Sequence, residues 1–415
     1  MTKDRIRQWV QAYGEDGVYV SFSGGKDSTV LLHLVREEYP NIPGMFIDTG
    51  LEFPEIRQFV RTFDNIDWVK PKMNFKAVIQ KYGYPFISKE VAECVYGARK
   101  YLTSVIESDM LDRPTDRPTD RSGTMRTDST SSWDPVFMGM DETHRNRILW
   151  KAVNQAKNGG AVESEDSQLC LESKRLTTAL TQDSGTTIDN FRIQRLMGIL
   201  PLTGKATMET IPSQKDRSAF SCVRYQFFLD APFEISASCC AVMKKSPGKQ
   251  YQKQTGRVPM TAMMASESRL RTQIWLKQGC NAFDAKKPVS NPMAFWTEQD
   301  VLLYIYQTKL PICSVYGDVV KDQGQEGQMD LADYFGTELF DLDRPTLMTT
   351  GYNRTGCMFC MFGCHLEKSP TRLERMKETH PKQYDFIMRP WEEGGLNYKE
   401  VIDWINENGE LHIKY

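Results

Sequence analysis

Eight residues constrain this chain more than any others: Ser21-Phe22-Ser23-Gly24-Gly25-Lys26-Asp27-Ser28. They join a short β-type run, Val18-Tyr19-Val20-Ser21-Phe22, to a helical stretch from Thr29 to Glu38 whose Val30, Leu31, Leu34 and Val35 are apolar. Two adjacent glycines let backbone N–H groups turn toward an anion without obstruction by Cβ. The start of the following helix adds partial positive charge. Lys26 offsets phosphate charge, Ser23 and Ser28 donate hydrogen bonds, and Asp27 is suited to hold Mg²⁺ between phosphates. The G-x-x-x-x-G-K spacing of a Walker A loop is absent. The competing reading is a glycine turn that merely opens a helix, and the strand–turn–helix setting weighs against it.

The flanking pattern fixes the fold class. Asn41-Ile42-Pro43-Gly44 ends the helix, and Met45-Phe46-Ile47 reads as a second strand that leads into Asp48. Strand, helix, strand is a βαβ unit of a parallel sheet. Residues 1–16 read as a helix with Ile6, Trp9, Val10 and Tyr13 on one face, Glu55 to Phe63 as another helix, and Ile66-Trp68-Val69 as a third strand. The expected class is α/β, an open parallel sheet carrying helical insertions and a C-terminal cysteine-rich region. Asp48-Thr49-Gly50-Leu51-Glu52-Phe53-Pro54-Glu55 follows the second strand, so it reaches the same sheet edge as the glycine loop. Asp48, Thr49, Gly50 and Glu52 are candidate nucleotide or metal contacts. The alternative for the carboxylates is a plain acidic helix cap.

Further along, Asp112 to Arg121 contains a four-residue direct repeat, and residues 158–188 are polar and rich in Gly, Ser and Thr. These read as solvated insertions around a helical stretch from Arg145 to Ala156. The expected division is 1–99, the first half of the nucleotide-binding domain; 100–215, an insertion; 216–310, its second half; and 311–415, a region with cysteines and closing helices. Residues 316–350 read as a loop-rich insertion, Thr297 to Tyr306 as a helix, and Leu373 to Met388 and Glu400 to Asn406 as closing helices. Lys plus Arg is 52 and Asp plus Glu is 54, a net charge of −2, which argues against a polyanion coat over the whole surface. No apolar run approaches a membrane span, and no apolar stretch follows Met1-Thr2-Lys3-Asp4-Arg5 as an export signal would require. The expected setting is the reducing cytoplasm, where clustered cysteines are metal ligands or redox groups before they are disulfides.

The ten cysteines include an adjacent pair, Cys239-Cys240, and a C-x-x-C, Cys357-Met358-Phe359-Cys360, followed by Cys364. Together the two pairs supply four thiolates, which suit Zn²⁺ or a [4Fe–4S] cluster. Zinc sites usually use two C-x-x-C knuckles, so the adjacent pair favours the cluster. Scattered buried thiols are the alternative, and the preferred one for Cys94, Cys170, Cys222, Cys280 and Cys313.

These motifs carry a family resemblance. The glycine loop resembles the PP-loop of ATP pyrophosphatases, and the Asp48 segment resembles the D-T-G-x-x-F-P element of the phosphoadenosine phosphosulfate (PAPS) reductase family. Cys239 to Pro247, a C-C-x-x-x-K-K-x-P run, resembles the cluster segment of adenylyl-sulfate reductases. Glu267-Ser268-Arg269-Leu270-Arg271 resembles that family's E-S-x-x-R element, and Trp296-Thr297-Glu298-Gln299-Asp300-Val301 its W-T-x-x-D-V helix start. The resemblance implies an adenine nucleotide alpha hydrolase-like (HUP) domain and a [4Fe–4S] cluster on Cys239, Cys240, Cys357 and Cys360. Lys244 or Lys245 would lie near the cluster, with Cys364 and His365 as substitute ligands. Nucleotide contacts would come from Ser21, Ser23, Gly24, Gly25, Lys26, Asp27, Ser28, Asp48, Thr49, Gly50, Glu52, Arg269 and Arg271, the last two gripping phosphate or sulfate. Thr297 and Asp300 read as helix caps.

The chain departs from the reductase pattern twice. It has no cysteine after Cys364, and sulfonucleotide reduction needs a nucleophilic thiolate. It also keeps the complete S-G-G-K-D-S loop of ATP-using relatives. The leading expectation is therefore an ATP pyrophosphatase of the PAPS reductase-like superfamily, with Lys26, Asp27 and Ser28 catalytic and Mg²⁺ accompanying ATP. It would adenylylate a substrate so that sulfur can replace the activated group. The sulfur would come from a donor such as a cysteine desulfurase. The alternatives are a sulfonucleotide reductase supplied by Cys364 or an external thiol reductant, and a non-catalytic nucleotide- and cluster-binding subunit. The basic segments Lys244–Arg257 and Thr371–Lys382 leave nucleic acid as a weaker partner expectation.

Overall fold

The computed structural model describes residues 1–97, 99, 222–322 and 346–415. The helix expected at Arg145 to Ala156 and both polar insertions before residue 216 lie outside the described residues. The chain divides into two compact units, Met1–Ala77 with Cys240–Cys360, and Val78–Cys239 with Met361–Tyr415.

The first unit is built on a six-stranded sheet of order β3-β2-β1-β5-β7-β6, comprising β1 (Val18–Ser21), β2 (Gly44–Ile47), β3 (Ile66–Val69), β5 (Val258–Met260), β6 (Asn281–Ala282) and β7 (Val289–Ser290). Every pairing is parallel except β6 with β7. Val18, Tyr19 and Val20 of β1 are all buried, which is why that strand reads as a continuous apolar run rather than an alternating one. Helices α1 (Thr2–Tyr13), α2 (Lys26–Arg36) and α3 (Pro54–Val60) surround it. Ile6 and Trp9 of α1 and Val30, Leu31 and Val35 of α2 are fully enclosed. The chain leaves β1 toward β2 on one side, whereas β5 pairs on the other. The C-terminal end of β1 is thus the point where strand order reverses, the place where open α/β sheets bind ligands.

The expected strands and helices of the first seventy residues are present with shifted ends: the first helix stops at Tyr13 and α3 at Val60. The region read as a turn through Ser28 is helical from Lys26 onward, with Gly25 at the N-cap. Later, α5 (Ser246–Thr255) follows a π-helical turn, Ala241–Lys245, and ends at Gly256 in the left-handed conformation, φ 71. Next come α6 (Arg269–Gln278) and α7 (Glu298–Thr308). Thr297 and Asp300 cap α7 reciprocally: the Thr297 hydroxyl accepts from the Asp300 amide, and the Asp300 carboxylate accepts from the Thr297 amide at 2.8 Å. Thr297→Ala is expected to cost about 1 kcal/mol of stability, read as a lower denaturant midpoint at unchanged slope. The ends of the loop-rich segment expected at 316–350 are paired: β8 (Val319–Lys321) lies antiparallel to β9 (Leu347–Thr349).

In the second unit, α4 (Phe75–Tyr82) leads from the first into β4 (Phe86–Ile87), which pairs in parallel with β10 (Met361–Phe362). Tyr84 and Phe86 pack on Tyr398, and Phe233 on Trp404. The single helix expected from Leu373 to Met388 is two, α8 (Arg372–Thr379) and α9 (Pro381–Met388), because Pro381 restricts His380 and cannot donate into a continuous helix. The closing helix α10 runs from Tyr398 to Gly409.

Candidate functional site

The glycine loop is held by its own serines. Ser28 Oγ accepts from the Ser23 amide at 3.2 Å and donates to the Gly25 carbonyl at 2.9 Å, while Ser23 Oγ accepts from the Gly25 amide at 3.3 Å. Gly24 has φ +71, and a Cβ there would lie 2.8 Å from Val60 Cγ2 and 2.9 Å from Ile56 Cγ2. Only glycine satisfies both demands.

The two residues after the glycines are bound inward. The Lys26 amide donates to Tyr316 Oη at 3.2 Å, and Tyr316 Oη is 2.6 Å from Thr355 Oγ1. Lys26 Nζ donates to the Asn353 carbonyl at 3.0 Å and pairs with Glu298 at 2.9 Å, and its side chain is only 4% exposed. Lys26 therefore locks the loop to α7 and to the 353–355 segment. Burial pushes the Asp27 carboxyl up, opposed by Lys26. Asp27 Oδ1 is buried with no hydrogen-bond partner, and the Lys26 ammonium stands off at 3.7 Å. Asp48 accepts from Arg57 at 2.9 Å through Oδ2, and its buried Oδ1 also has no hydrogen-bond partner. Two carboxylate oxygens with unused acceptor capacity are what a Mg²⁺–nucleotide complex needs. Glu52 closes its own turn: it accepts from the Thr49 amide at 3.0 Å and the Thr49 hydroxyl at 2.6 Å.

Beside the loop lies a cavity of about 540 Å³ whose walls include Ser21, Phe22, Ser23, Glu52, Thr355 and Gly356, with Lys244, Lys245, Lys249 and Lys287 supplying the charge. The size suits a nucleotide-sized ligand. Lys249 arrives there on α5, and Lys244 and Lys245 on the turn that leads into it. Tyr251 packs edge-on against Tyr19 with ring centroids 5.0 Å apart, its hydroxyl donates to Asp67 at 2.6 Å, and Gln252 donates to the Tyr19 hydroxyl at 2.9 Å. These contacts fix α5 to the sheet, and the π-helical turn before it carries Lys244 and Lys245. Such turns recur at functional sites because the extra residue re-aims side chains.

Lys244 ties the cavity to the cysteines. Burial alone would lower its pKa, but Cys357, Glu52 and Cys240 together raise it. The Cys357 thiol is pushed up to about 11 by burial, against the pull of Lys244. Within the first unit, Cys240 and Cys357 thus share the field of Lys244, and Cys360 acts on Cys357. Cys239 belongs to the second unit. Once deprotonated, cysteines are soft donors of the kind an iron–sulfur cluster takes. Among the described residues, no group of three or more His, Cys, Asp or Glu is arranged to hold a metal ion.

Not every expected residue lines the cavity. Cys364 is buried in the second unit, its thiol pushed up to about 12 by burial, so it is a poor nucleophile at neutral pH. His365 Nε2 lies 3.2 Å from the Tyr225 hydroxyl, and burial lowers the imidazole pKa. Arg269 is exposed at the start of α6, whereas Arg271, paired with Glu267, stays within electrostatic reach of Asp27 in the loop. Lys249, Lys287, Tyr316, Thr355 and Glu298 were not expected at the site. Lys249 was legible, since it lies four residues after Lys245 on one helical face. The others reach the loop by long-range folding alone.

The model of the phosphoadenosine phosphosulfate reductase domain matches residues 17–93 and 212–362, more than half of the chain. The chain belongs to this family. Among curated relatives, the phosphoadenosine 5′-phosphosulfate reductase of Xanthomonas euvesicatoria pv. vesicatoria is 32% identical over 94 residues, 23% of this chain and 35% of that protein. The corresponding reductase of Photorhabdus laumondii subsp. laumondii is 51% identical over 41 residues, 10% of this chain and 17% of that protein. A solved phosphoadenylyl-sulfate reductase from Candida auris, a phosphate complex, aligns with 75% of this chain and 82% of its own at 13% identity and a TM-score of 0.31. The match spans about a third of the length of the first curated relatives. Among the described residues, no helix is long and apolar enough to cross a membrane.

Proposed function

We propose that this chain is a sulfonucleotide-processing enzyme that binds an adenylyl nucleotide with its anionic tail between the glycine loop and Lys244, Lys245 and Lys249. The observation that carries the reading is the lysine-lined cavity, which joins Ser23 of the loop to Lys244 and, through Thr355 and Gly356, to the residue next to Cys357. Family membership favours reduction of a sulfonucleotide. In that chemistry a thiolate attacks the sulfate sulfur, and sulfite is released when a second thiol closes a disulfide. Cys364 is buried in the second unit, and on this reading the attacking thiolate comes from outside the chain. The chain's own task is positioning and charge neutralisation by Ser23, Lys244 and Lys245. A [4Fe–4S] cluster on Cys239, Cys240, Cys357 and Cys360 would supply electrostatic or redox support next to Lys244. Zinc is the alternative occupant.

A specific observation favours a second reading, ATP pyrophosphatase chemistry: the loop is complete, and the Asp27 oxygen that accepts no hydrogen bond suits Mg²⁺. Adenylylation would then prepare a substrate for sulfur transfer. Anaerobically purified protein should be incubated in parallel with adenylyl sulfate or PAPS plus a dithiol, and with ATP plus Mg²⁺. Thiol-dependent sulfite release supports the first reading and pyrophosphate release the second. Intact nucleotide in every arm contradicts both.

The external-thiol element has its own check. Cys364→Ser is expected to leave sulfite release within about twofold of the parent. In the native protein at about pH 8, Cys364 should resist iodoacetamide, and it should react once the chain is denatured. Loss of release in Cys364→Ser, with the fold retained, would return the nucleophile to this chain.

A further inference from the structure

We propose that Arg354 contacts the distal anionic group of the nucleotide's tail and forms, with Arg271, a two-guanidinium clamp beside the glycine loop. The proposal rests on the nucleotide reading above and assigns Arg354 a role within it.

The backbone around Arg354 is pinned on both sides to a single residue of the loop. Before it, the Asn353 carbonyl accepts from Lys26 Nζ at 3.0 Å. After it, the Thr355 hydroxyl lies 2.6 Å from Tyr316 Oη, which accepts the Lys26 amide at 3.2 Å. Arg354 is thereby fixed next to the loop although its side chain is exposed. Among the described residues it makes no hydrogen bond or ion pair.

Its charged surroundings are unbalanced. Arg271 feels both Arg354 and Asp27, and burial followed by the repulsion from Arg354 lowers its pKa. Asp27 feels Lys26, Glu298 and Arg354. Glu267 is taken by Arg271, and Glu298 by Lys26. Of the acceptors in this group, Asp27 Oδ1 is the one left without a hydrogen-bond partner. An exposed guanidinium with no partner, held by its backbone beside a second guanidinium, is an arrangement that an added oxyanion completes. Guanidinium groups bind such oxyanions bidentately. Phosphate and sulfate share this chemistry.

The test is calorimetric titration of the intact chain, Arg354→Gln and Arg354→Lys at low ionic strength. The probes are inorganic pyrophosphate, inorganic sulfate and adenylyl sulfate. Arg354→Gln is expected to lose about tenfold or more in affinity for the preferred inorganic anion. Arg354→Lys should recover part of that, and both should melt with the parent, because Arg354 makes no structural contact. Preference for pyrophosphate assigns the clamp to a phosphate tail, and preference for sulfate to a sulfate tail. Equal affinity of Arg354→Gln and the parent overturns the proposal, as does failure of the parent to bind either inorganic anion, or a loss matched by a lower melting temperature. If the inorganic anions bind with the expected Arg354 dependence and the nucleotide binds no better, the clamp stands and the nucleotide reading fails. Nucleotide binding that is indifferent to Arg354 gives the converse.

Discussion

Gly24→Ala is expected to abolish adenylyl-nucleotide binding, with a loss of more than about a hundredfold, and to destabilise the first unit by about 2–4 kcal/mol. The two effects share one cause. At φ +71 an L-residue is strained, and the added methyl would sit 2.8 Å from Val60 and 2.9 Å from Ile56, both on α3. Relief requires the loop to lift from α3, which redirects the Gly25 and Lys26 amides and pulls on the Tyr316–Thr355 contact. Gly50 serves as the control. Its φ is +76, but a methyl added there would have nothing within 4 Å, so Gly50→Ala should cost less than Gly24→Ala. Titration calorimetry and thermal melts of the two variants check this directly. Equal effects would mean that the close packing of Gly24 on α3 is irrelevant.

Lys244→Met is expected to have the second-largest effect, a loss of about a hundredfold or more in the rate of the supported reaction with little change in melting temperature. Methionine keeps the length and apolar stem of the side chain. What it removes is the positive charge shared by Glu52, Cys357 and Cys240. Glu52 then faces the cavity uncompensated and repels an incoming anionic tail. Because the charge also opposes the upward push on the Cys357 thiol, the variant should show a Cys357 still harder to ionise. Lys249→Met changes a lysine of the same cavity without that link to the cysteines, and is expected to weaken binding more than turnover. Steady-state kinetics on both variants would separate the roles. Equal changes in KM alone for the two would reduce Lys244 to one basic wall residue among several.

Local chemistry decided which parts of this molecule could be read from its residues. Strands β1 and β2 were legible because each is a compact apolar run beside a helix of 3.6-residue period, and β3 through Ile66, Trp68 and Val69 around the polar Asp67. Strands β5, β6 and β7 are two or three residues long, too short to express any period, and exist because the sheet completes them. The glycine loop and the α7 cap announced themselves through short-range hydrogen-bond logic. The partners of Lys26 did not: Glu298 and Asn353 meet it only after the chain has closed over the sheet. Lys26 therefore looked like a free phosphate ligand in the sequence, whereas the fold gives it a carboxylate and a carbonyl to hold. The same blindness hid the role of Arg354, whose neighbours, not its own side chain, place it. At Pro381 the miss had another origin, since the apolar spacing on both sides of His380 continues smoothly across a break that proline chemistry imposes.

The central claim is that an adenine nucleotide occupies the cavity between Ser23 and the lysines Lys244, Lys245 and Lys249. A crystal structure of the chain soaked with adenylyl sulfate or a non-hydrolysable ATP analogue tests it most directly. The expected result is nucleotide density lined by Ser23, Lys244, Lys245 and Lys249, with its anionic tail against the Gly24–Gly25 backbone. Density for the nucleotide elsewhere on the chain, with this cavity filled only by solvent, would contradict it.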